Sequence, residues 1–293
     1  MVTTGVFNFS RLKEGCDPAN AFESYEQDAH TLEVRDGRLL PHDSDILLSS
    51  SAGFKVVSHV CSITDWSKEE LLSSTYYDEV FAVLRKLTGA EHIFLGGPHV
   101  SRREGSSGSA ASQPLFHLHN DYTGNMKEAY MRALSGEGPN QSWTMEEMLA
   151  MSFVDGSDVP AQMKAVGLTA EELAERRMVV LNTWRNTSDE PVGSCPLAVA
   201  DQRTIKSSDG CGGVVGRVGL VRRKGQQFYY FPGLTREELL IFIGYDSYAK
   251  EHAPCVHSAF EDMNAPADAP SRQSIELRCV LVMPSSTTQR RNG

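Results

Sequence analysis

A histidine and an aspartate two residues apart, His119 and Asp121, are the first side chains in this sequence that could do chemistry together. On a β-strand, residues at positions i and i+2 point to the same face, so the imidazole and the carboxylate would lie side by side. Two histidines and one carboxylate form the ligand set of non-haem Fe(II), which leaves coordination positions open for oxygen and a co-substrate. Among the nine histidines only His119 precedes an acidic residue by two positions, so the pair predicts a metal site that needs one more histidine.

A histidine near the other end of the chain could complete that site. His257 is followed fifteen residues later by Arg272, and then by Ser274. The arginine guanidinium is a rigid planar fork that binds a carboxylate end-on, so Arg272 and Ser274 could hold the far end of a dicarboxylic co-substrate. The sequence therefore predicts three catalytic metal ligands, which are His119, Asp121 and His257.

Several alternatives stay open at this point. Arg278 lies on the same alternating strand face as Arg272 and could be the anchor instead, and either arginine could simply pair with Glu276. His117 shares a strand face with His119 and could line the pocket, support a ligand or only fill the core. The distal histidine could also be an ordinary core or surface residue.

Composition and charge exclude several classes of partner. The formal net charge of −10 argues against nucleic acid and against an anionic membrane surface. No apolar run approaches the roughly 18 residues that a membrane span needs, and no basic stretch followed by an apolar one opens the chain. The six cysteines contain no C-x-x-C pair, so they indicate neither a zinc finger nor a disulfide framework. We expect a cytoplasmic protein with reduced thiols.

The chain is expected to form a single domain over residues 1–293, since barrels and sandwiches often reach this size as one unit. Residues 1–50 are polar and predict an N-terminal arm, in which Asp36-Gly37 is typical of a short hairpin. Small polar residues over 102–113 predict a flexible loop, and residues 284–293 predict a loose tail.

Local signals predict the helices and strands. Capping boxes, in which Ser or Thr precedes Glu by three residues, predict helix starts at Ser67, Thr144, Thr169 and Thr235. The first of these helices would end at Gly89. Short apolar runs predict strands over 53–60, 92–95, 178–181, 196–200, 214–221, 227–231 and 275–283. Many short strands carrying a metal motif indicate a mainly β fold with flanking helices, built on a double-stranded β-helix of the jelly-roll or cupin-like kind.

Seven sequence blocks follow one another in an order typical of a known family. They are His119–Thr123, Val180–Arg185, Pro196–Arg203, Tyr230–Pro232, Tyr245–Ser247, His257–Phe260 and Arg272–Arg278. Over about residues 53–282 the chain resembles the fungal gibberellin-desaturase-like and cephamycin-methoxylase-subunit-like family of Fe(II)/2-oxoglutarate-dependent oxygenases. The glycine-rich stretch 207–213 departs from the family's pattern, which concerns the rim of the pocket and not the iron site.

The resemblance implies Fe(II) at the triad, 2-oxoglutarate anchored by Arg272 and Ser274, and O2 as the oxidant. Decarboxylation of the ketoacid to succinate would be coupled to hydroxylation, desaturation or oxidative cyclisation at an unactivated C–H bond. The substrate would be a small molecule of fungal specialised metabolism. Candidate substrate-binding residues, which offer aromatic walls, hydrogen bonds and a cation, are Tyr122, Thr123, Asn182, Trp184, Arg185 and Tyr245.

Two rival functions use the same fold. In the first, Zn(II) activates water in a metal-dependent hydrolase or isomerase, although such a site does not need an Arg-x-Ser anchor. In the second, the chain is a non-catalytic binding subunit, although the intact set of ligand and anchor residues argues against this. The oligomeric state stays open, and a homo-oligomer is one of the options.

Overall fold

The computed structural model of the chain describes residues 2–17, 24–41, 45–105, 113–122, 126–138, 142, 158–212, 218–249 and 255–285. The strands in these ranges are β1 (Val2–Leu12), β2 (Tyr25–Asp36), β3 (Phe54–Ser58), β4 (His92–Leu95), β5 (Val100–Arg103), β6 (His119–Asn120), β7 (Met178–Asn186), β8 (Leu197–Ala200), β9 (Gly210–Gly212), β10 (Val218–Leu220), β11 (Phe228–Tyr230), β12 (Glu238–Asp246), β13 (His257–Ala259), β14 (Glu261–Asp262) and β15 (Gln273–Val282). The α-helices are α1 (Glu69–Leu71), α2 (Tyr77–Thr88), α3 (Met126–Leu134), α4 (Val159–Ala165) and α5 (Ala170–Ala174).

Across the described ranges these strands form two sheets. The larger sheet has nine strands in the order β14-β1-β2-β11-β8-β13-β6-β10-β9. The smaller has the order β3-β12-β7-β15-β4, and β5 also pairs with β15. Neighbouring strands are antiparallel except β2 and β11. The predicted mainly β class with a few flanking helices is confirmed.

Strand β7 lies in the middle of the smaller sheet and is buried on both faces, so its two faces pack against different parts of the molecule. In β7 every residue is buried. Val179 and Leu181 pack in the cluster that contains Leu84 of α2, whereas Trp184 packs with Leu197 of the larger sheet. Trp184 therefore faces the space between the two sheets, whereas Met178, on the same face of β7, packs in the cluster formed with helices α3, α4 and α5.

The predicted N-terminal arm supplies two long strands of the larger sheet. β1 pairs with β2 along its whole length, and β2 also pairs with β11. Phe7 of β1 stacks on Phe228 and Phe260, with ring centroids 5.3 Å and 5.1 Å away. The hairpin predicted at Asp36-Gly37 is wrong. Residues 37–39 form a 3-10 turn instead, in which the Arg38 amide donates to the Asp36 carboxylate.

The helix predicted before Gly89 is confirmed, although it starts differently. α1 leads through a π-helical turn, Leu72–Tyr76, into α2, which ends where Gly89 adopts φ +70°. The capping box at Ser67 is wrong: Lys68 occupies the cap position without a side-chain bond, and the Ser67 hydroxyl donates to Asp65 instead. Among the described helices, none is long and apolar enough to cross a membrane.

The other capping boxes have different outcomes. Thr169 and Glu172 form both bonds of the box at the start of α5. Thr235 and Glu238 also bond to each other, but Glu238 opens β12, so the helix predicted there is wrong. These short-range bonds also fit a turn, and the apolar run after Glu238 pairs with β3 and β7. The box at Thr144 lies outside the described residues.

The predicted strands appear in the structure with shifted ends. β4 matches its predicted bounds, and the strand predicted over 178–181 continues to Asn186 as β7. The predicted flexible loop starts inside β5, whose last residue is Arg103, and 106–112 lie outside the described residues, as do 286–293 of the predicted tail. Of the strand predicted over 214–221, the described part contains β10.

Candidate metal centre

Three candidate ligands meet in the space between the two sheets. His119 of β6 and His257 of β13 face each other as register partners on adjacent antiparallel strands, with ring centroids 4.4 Å apart. Asp121 follows β6 directly. One side-chain ligand atom from each of the three residues lies within 4.8 Å of the others, and all three side chains are buried.

Both imidazoles are oriented by backbone carbonyls. Nδ1 of His119 lies 2.6 Å from the carbonyl oxygen of His117, and Nδ1 of His257 lies 3.4 Å from that of Cys255. Because a carbonyl oxygen only accepts, each Nδ1 carries a proton, and in a neutral imidazole Nε2 then keeps its lone pair. The two Nε2 atoms lie 3.6 Å and 3.9 Å from the oxygens of Asp121. This orientation through the other ring nitrogen is typical of histidines that bind metals.

The Asp121 carboxylate is held from the side of the smaller sheet. Asn182 Nδ2 donates to Oδ2 at 3.2 Å, and Arg278 Nη2 lies 3.3 Å from the same oxygen. Arg278 is also paired with Glu276, whose Oε1 lies 3.2 Å from Nε. Burial alone would lower the pKa of Arg278, but the carboxylates of Asp121 and Glu276 raise it above its ordinary value. The guanidinium therefore stays charged.

Asn182 and Tyr122 continue this network. The Tyr122 hydroxyl donates to Oδ1 of Asn182 at 3.0 Å, and Asn182 Nδ2 also lies 3.4 Å from Oε1 of Glu276. Burial raises the pKa of Tyr122 well above its usual range, so the hydroxyl keeps its proton and acts as a donor. The structure thus brings two predicted substrate residues to the carboxylate ligand.

The predicted anchor, Arg272, is buried in a rigid setting. Its guanidinium lies 4.9 Å from the centre of the Trp184 ring, its Nη1 donates to the carbonyl oxygen of Cys195 at 2.9 Å, and its Nε lies 3.3 Å from the Ser274 hydroxyl. Burial, with a contribution from the neighbouring Arg102, lowers the pKa of Arg272 to about 10. It is therefore still charged at neutral pH.

The ligands and the arginines line one cavity of about 20 Å³. Its walls are Arg102, Leu115, His119, Asp121, Leu197, His257, Ser258, Ala259, Arg272, Glu276 and Arg278. A space of this size holds about one water molecule.

Other predicted site residues lie elsewhere. Arg185 faces the side of the smaller sheet that α2 covers, where its guanidinium donates to the backbone carbonyls of His59 and Arg236, so it does not line this cavity. The hydroxyl of Tyr245 accepts from the amide of Lys127 at 3.3 Å and does not line the cavity.

The remaining predicted residues are His117 and Thr123. The His117 ring lies 3.1 Å from the Ser10 hydroxyl, away from the cavity, and His117 contributes to the centre through its backbone carbonyl. Thr123 lies outside the described residues.

The sequence patterns missed the residues that support Arg272. Oε2 of Glu104 accepts from the Arg272 amide at 3.0 Å, and its Oε1 accepts from the Cys195 thiol at 3.1 Å. Burial would raise the pKa of Glu104, but hydrogen bonds from Ser194, the Arg272 amide and Cys195 lower it overall. No local spacing signals this contact, because it joins the turn after β5 to the start of β15.

Several known proteins have sequences similar to that of this chain. The chain is 26% identical over 220 residues to the Fe(II)/2-oxoglutarate-dependent dioxygenase nvfI of Aspergillus novofumigatus, covering 70% of this chain and 66% of that protein. It is 31% identical over 152 residues to the hydroxylase/desaturase asaB of Aspergillus flavus, covering 44% and 65%. The chain thus spans about two thirds of the length of these curated relatives.

The fold is also shared with a solved structure. The iron and alpha-ketoglutarate-dependent endoperoxidase NvfI superposes with a TM-score of 0.70 at 23% identity, covering 96% of this chain and 98% of the other. These similarities do not confirm the finer grouping with gibberellin-desaturase-like proteins and cephamycin-methoxylase subunits. Residues 7–151 and 154–282 match the family YDMC, and the chain therefore belongs to this family, whose description is Oxidoreductase/YMDC permease-like domain.

Proposed function

We propose that the chain is a non-haem Fe(II)- and 2-oxoglutarate-dependent oxygenase, with His119, Asp121 and His257 as its metal ligands. The observation that carries the proposal is the convergence of these three buried side chains from distant parts of the chain onto one point. Two neutral imidazoles and a carboxylate fit Fe(II), and three protein ligands leave positions for a ketoacid and O2. The named functions of the relatives support this assignment.

Arg272 and Ser274 bind the distal carboxylate of 2-oxoglutarate in this proposal. Trp184, Cys195 and Glu104 hold the Arg272 guanidinium and backbone in place, so little freedom is lost when the carboxylate arrives. Arg278 has a different task, because its charge is already matched by Asp121 and Glu276. Bound iron would activate O2, which is the oxidant, and the residues around it orient the reactants and exclude water.

The substrate is a small molecule of fungal natural product biosynthesis, and an unactivated C–H bond is the reacting group. Relatives include a hydroxylase/desaturase and an endoperoxidase, so the outcome depends on how each pocket holds its substrate. The proposal also includes a double-stranded β-helix core and a cytoplasmic location. It further includes the finer resemblance to gibberellin-desaturase-like proteins, which the order of the sequence blocks supports.

An anaerobic titration tests this function. Apo-protein receives Fe(II) and then 2-oxoglutarate, and the expected result is the weak visible charge-transfer band of a metal-chelated ketoacid. His119→Ala should abolish the band. The matched control is His117→Ala, which removes a buried ring bonded to Ser10 while keeping the carbonyl that orients His119. If no band forms and the protein binds Zn(II) tightly instead, the oxygenase assignment falls and a hydrolytic one replaces it.

A further inference from the structure

The two oxygens of the Asp121 carboxylate have different surroundings. Oδ2 receives Asn182 Nδ2 at 3.2 Å, has Arg278 Nη2 at 3.3 Å and lies 3.9 Å from His257 Nε2, whereas Oδ1 lies 3.6 Å from His119 Nε2. Hydrogen bonds and the ion pair use the lone pairs of Oδ2, so Oδ1 is the better donor to a cation. The network therefore distinguishes one oxygen of the ligand from the other.

The Asn182 amide can donate to Asp121 only in one of its two orientations, and Tyr122 helps to hold it there. The carboxylates of Asp121 and Glu276 only accept, so they require Nδ2 on their side. Oδ1 of Asn182 then faces the Tyr122 hydroxyl, which donates to it at 3.0 Å. Both side chains are buried, so water does not replace either bond.

The backbone of β12 leaves room for this arrangement. A Cβ atom at Gly244 would lie 2.3 Å from the Tyr122 ring and 3.2 Å from Oδ1 of Asn182. Gly244 sits at the register irregularity of β12, between Ile243 and Tyr245. Glycine at this position thus lets the Tyr122 ring lie against the sheet and reach Asn182.

We propose that Asn182 and Tyr122 are positioning residues, which hold Oδ2 of Asp121 so that the carboxylate binds the metal through Oδ1 alone. Tyr122 acts on the metal only through Asn182, and Asn182 acts only through Asp121. This reassigns two residues that the sequence suggested for the substrate. It rests on the proposed function, because it requires Asp121 to be a metal ligand.

The experiment measures binding of Co(II), a spectroscopic substitute for Fe(II), to apo-protein without 2-oxoglutarate or substrate. Asn182→Leu should weaken Co(II) binding by about tenfold or more, as is typical when a partner of a ligand is lost. Its visible d–d bands should also change in position or intensity, because a carboxylate that is free to turn alters the coordination. Tyr122→Phe should shift both readouts in the same direction by a smaller amount.

The double variant gives the sharpest comparison. If Tyr122 acts through Asn182, adding Tyr122→Phe to Asn182→Leu changes the Co(II) affinity no further. If the two residues act independently, their effects on the free energy of Co(II) binding would add. The matched control is Tyr130→Phe, another buried phenol in the same apolar cluster, whose hydroxyl has no hydrogen-bond partner among the described residues. It should bind Co(II) like the native protein. Asn182→Ser replaces Asn182→Leu if the latter does not fold.

The outcomes separate this inference from the proposed function. If the native protein binds neither Co(II) nor Fe(II), both fall. If the native protein binds Co(II) and forms the ketoacid band, but Asn182 variants keep native affinity and native d–d bands, only the positioning role is overturned. Additive effects in the double variant would likewise overturn the proposed order of action.

Discussion

At the scale of single residues, the two arginines Arg272 and Arg278 have different tasks at the proposed metal centre. Arg272→Ala should raise the 2-oxoglutarate concentration needed for the charge-transfer band by about ten- to a hundredfold, since a hydrogen bond to a charged group contributes about 1.5–3 kcal/mol. Fe(II) affinity should stay close to native, because Arg272 is held by Cys195, Ser274 and Trp184 and is not itself a ligand. Arg103→Ala, which removes an exposed arginine bonded to Gln273, is the control. An unaltered 2-oxoglutarate affinity in Arg272→Ala would move the anchoring role to Arg278.

Arg278 should instead control the charge balance of the empty centre. Arg278→Met leaves Asp121 and Glu276 buried without their cation, which should lower the stability of the apo-protein by about 3–5 kcal/mol. A divalent metal then supplies the missing positive charge. Differential scanning calorimetry with and without Co(II) should therefore show a larger metal-induced rise in Tm for Arg278→Met than for the native protein. An equal or smaller rise would mean that Arg278 does not balance these carboxylates.

At the scale of an element, the irregular part of β12 determines whether Tyr122 can reach Asn182. Gly244→Ala should reduce stability by about 1–3 kcal/mol, because its Cβ would lie 2.3 Å from the buried Tyr122 ring, which must then shift. Co(II) affinity should fall in the same direction as in Tyr122→Phe. Gly138→Ala is the matched control, since a Cβ there meets nothing within 4 Å. Denaturant unfolding and Co(II) titration measure both effects, and native Co(II) affinity in Gly244→Ala would separate β12 from the metal centre.

At the scale of the whole molecule, both sheets contribute to one centre, so we expect the chain to unfold as a single domain. Phe242 of the smaller sheet contacts His257 of the larger, with ring centroids 4.7 Å apart, and Arg278 reaches Asp121 across the same space. Far-UV circular dichroism and tryptophan fluorescence should report the same thermal midpoint, and the calorimetric and van't Hoff enthalpies should agree. Two separate transitions would instead divide the chain into two domains.

Local sequence determined several features of this protein correctly. The spacing of His119 and Asp121, the stop at Gly89 and the capping box at Thr169 each depend on residues within one turn or one strand. The order of the sequence blocks led to the same class of oxygenase that the relatives represent. Signals of this kind can be predicted from the sequence because they depend only on residues that are close together in the chain.

Tertiary structure decided the rest. Because β7 is buried on both faces, it has no alternation of apolar and polar residues that could predict which side chains face the metal centre. Only the structure shows that Trp184 faces the larger sheet and that Arg185 faces the opposite side. At Thr235 one bond of the capping box, from the Thr235 amide to Glu238, forms at a turn, because pairing of the following residues with β3 and β7 outweighs the helix signal. His257 reaches His119 only through the register of β13 against β6, and this register depends on the packing of strands distant in sequence.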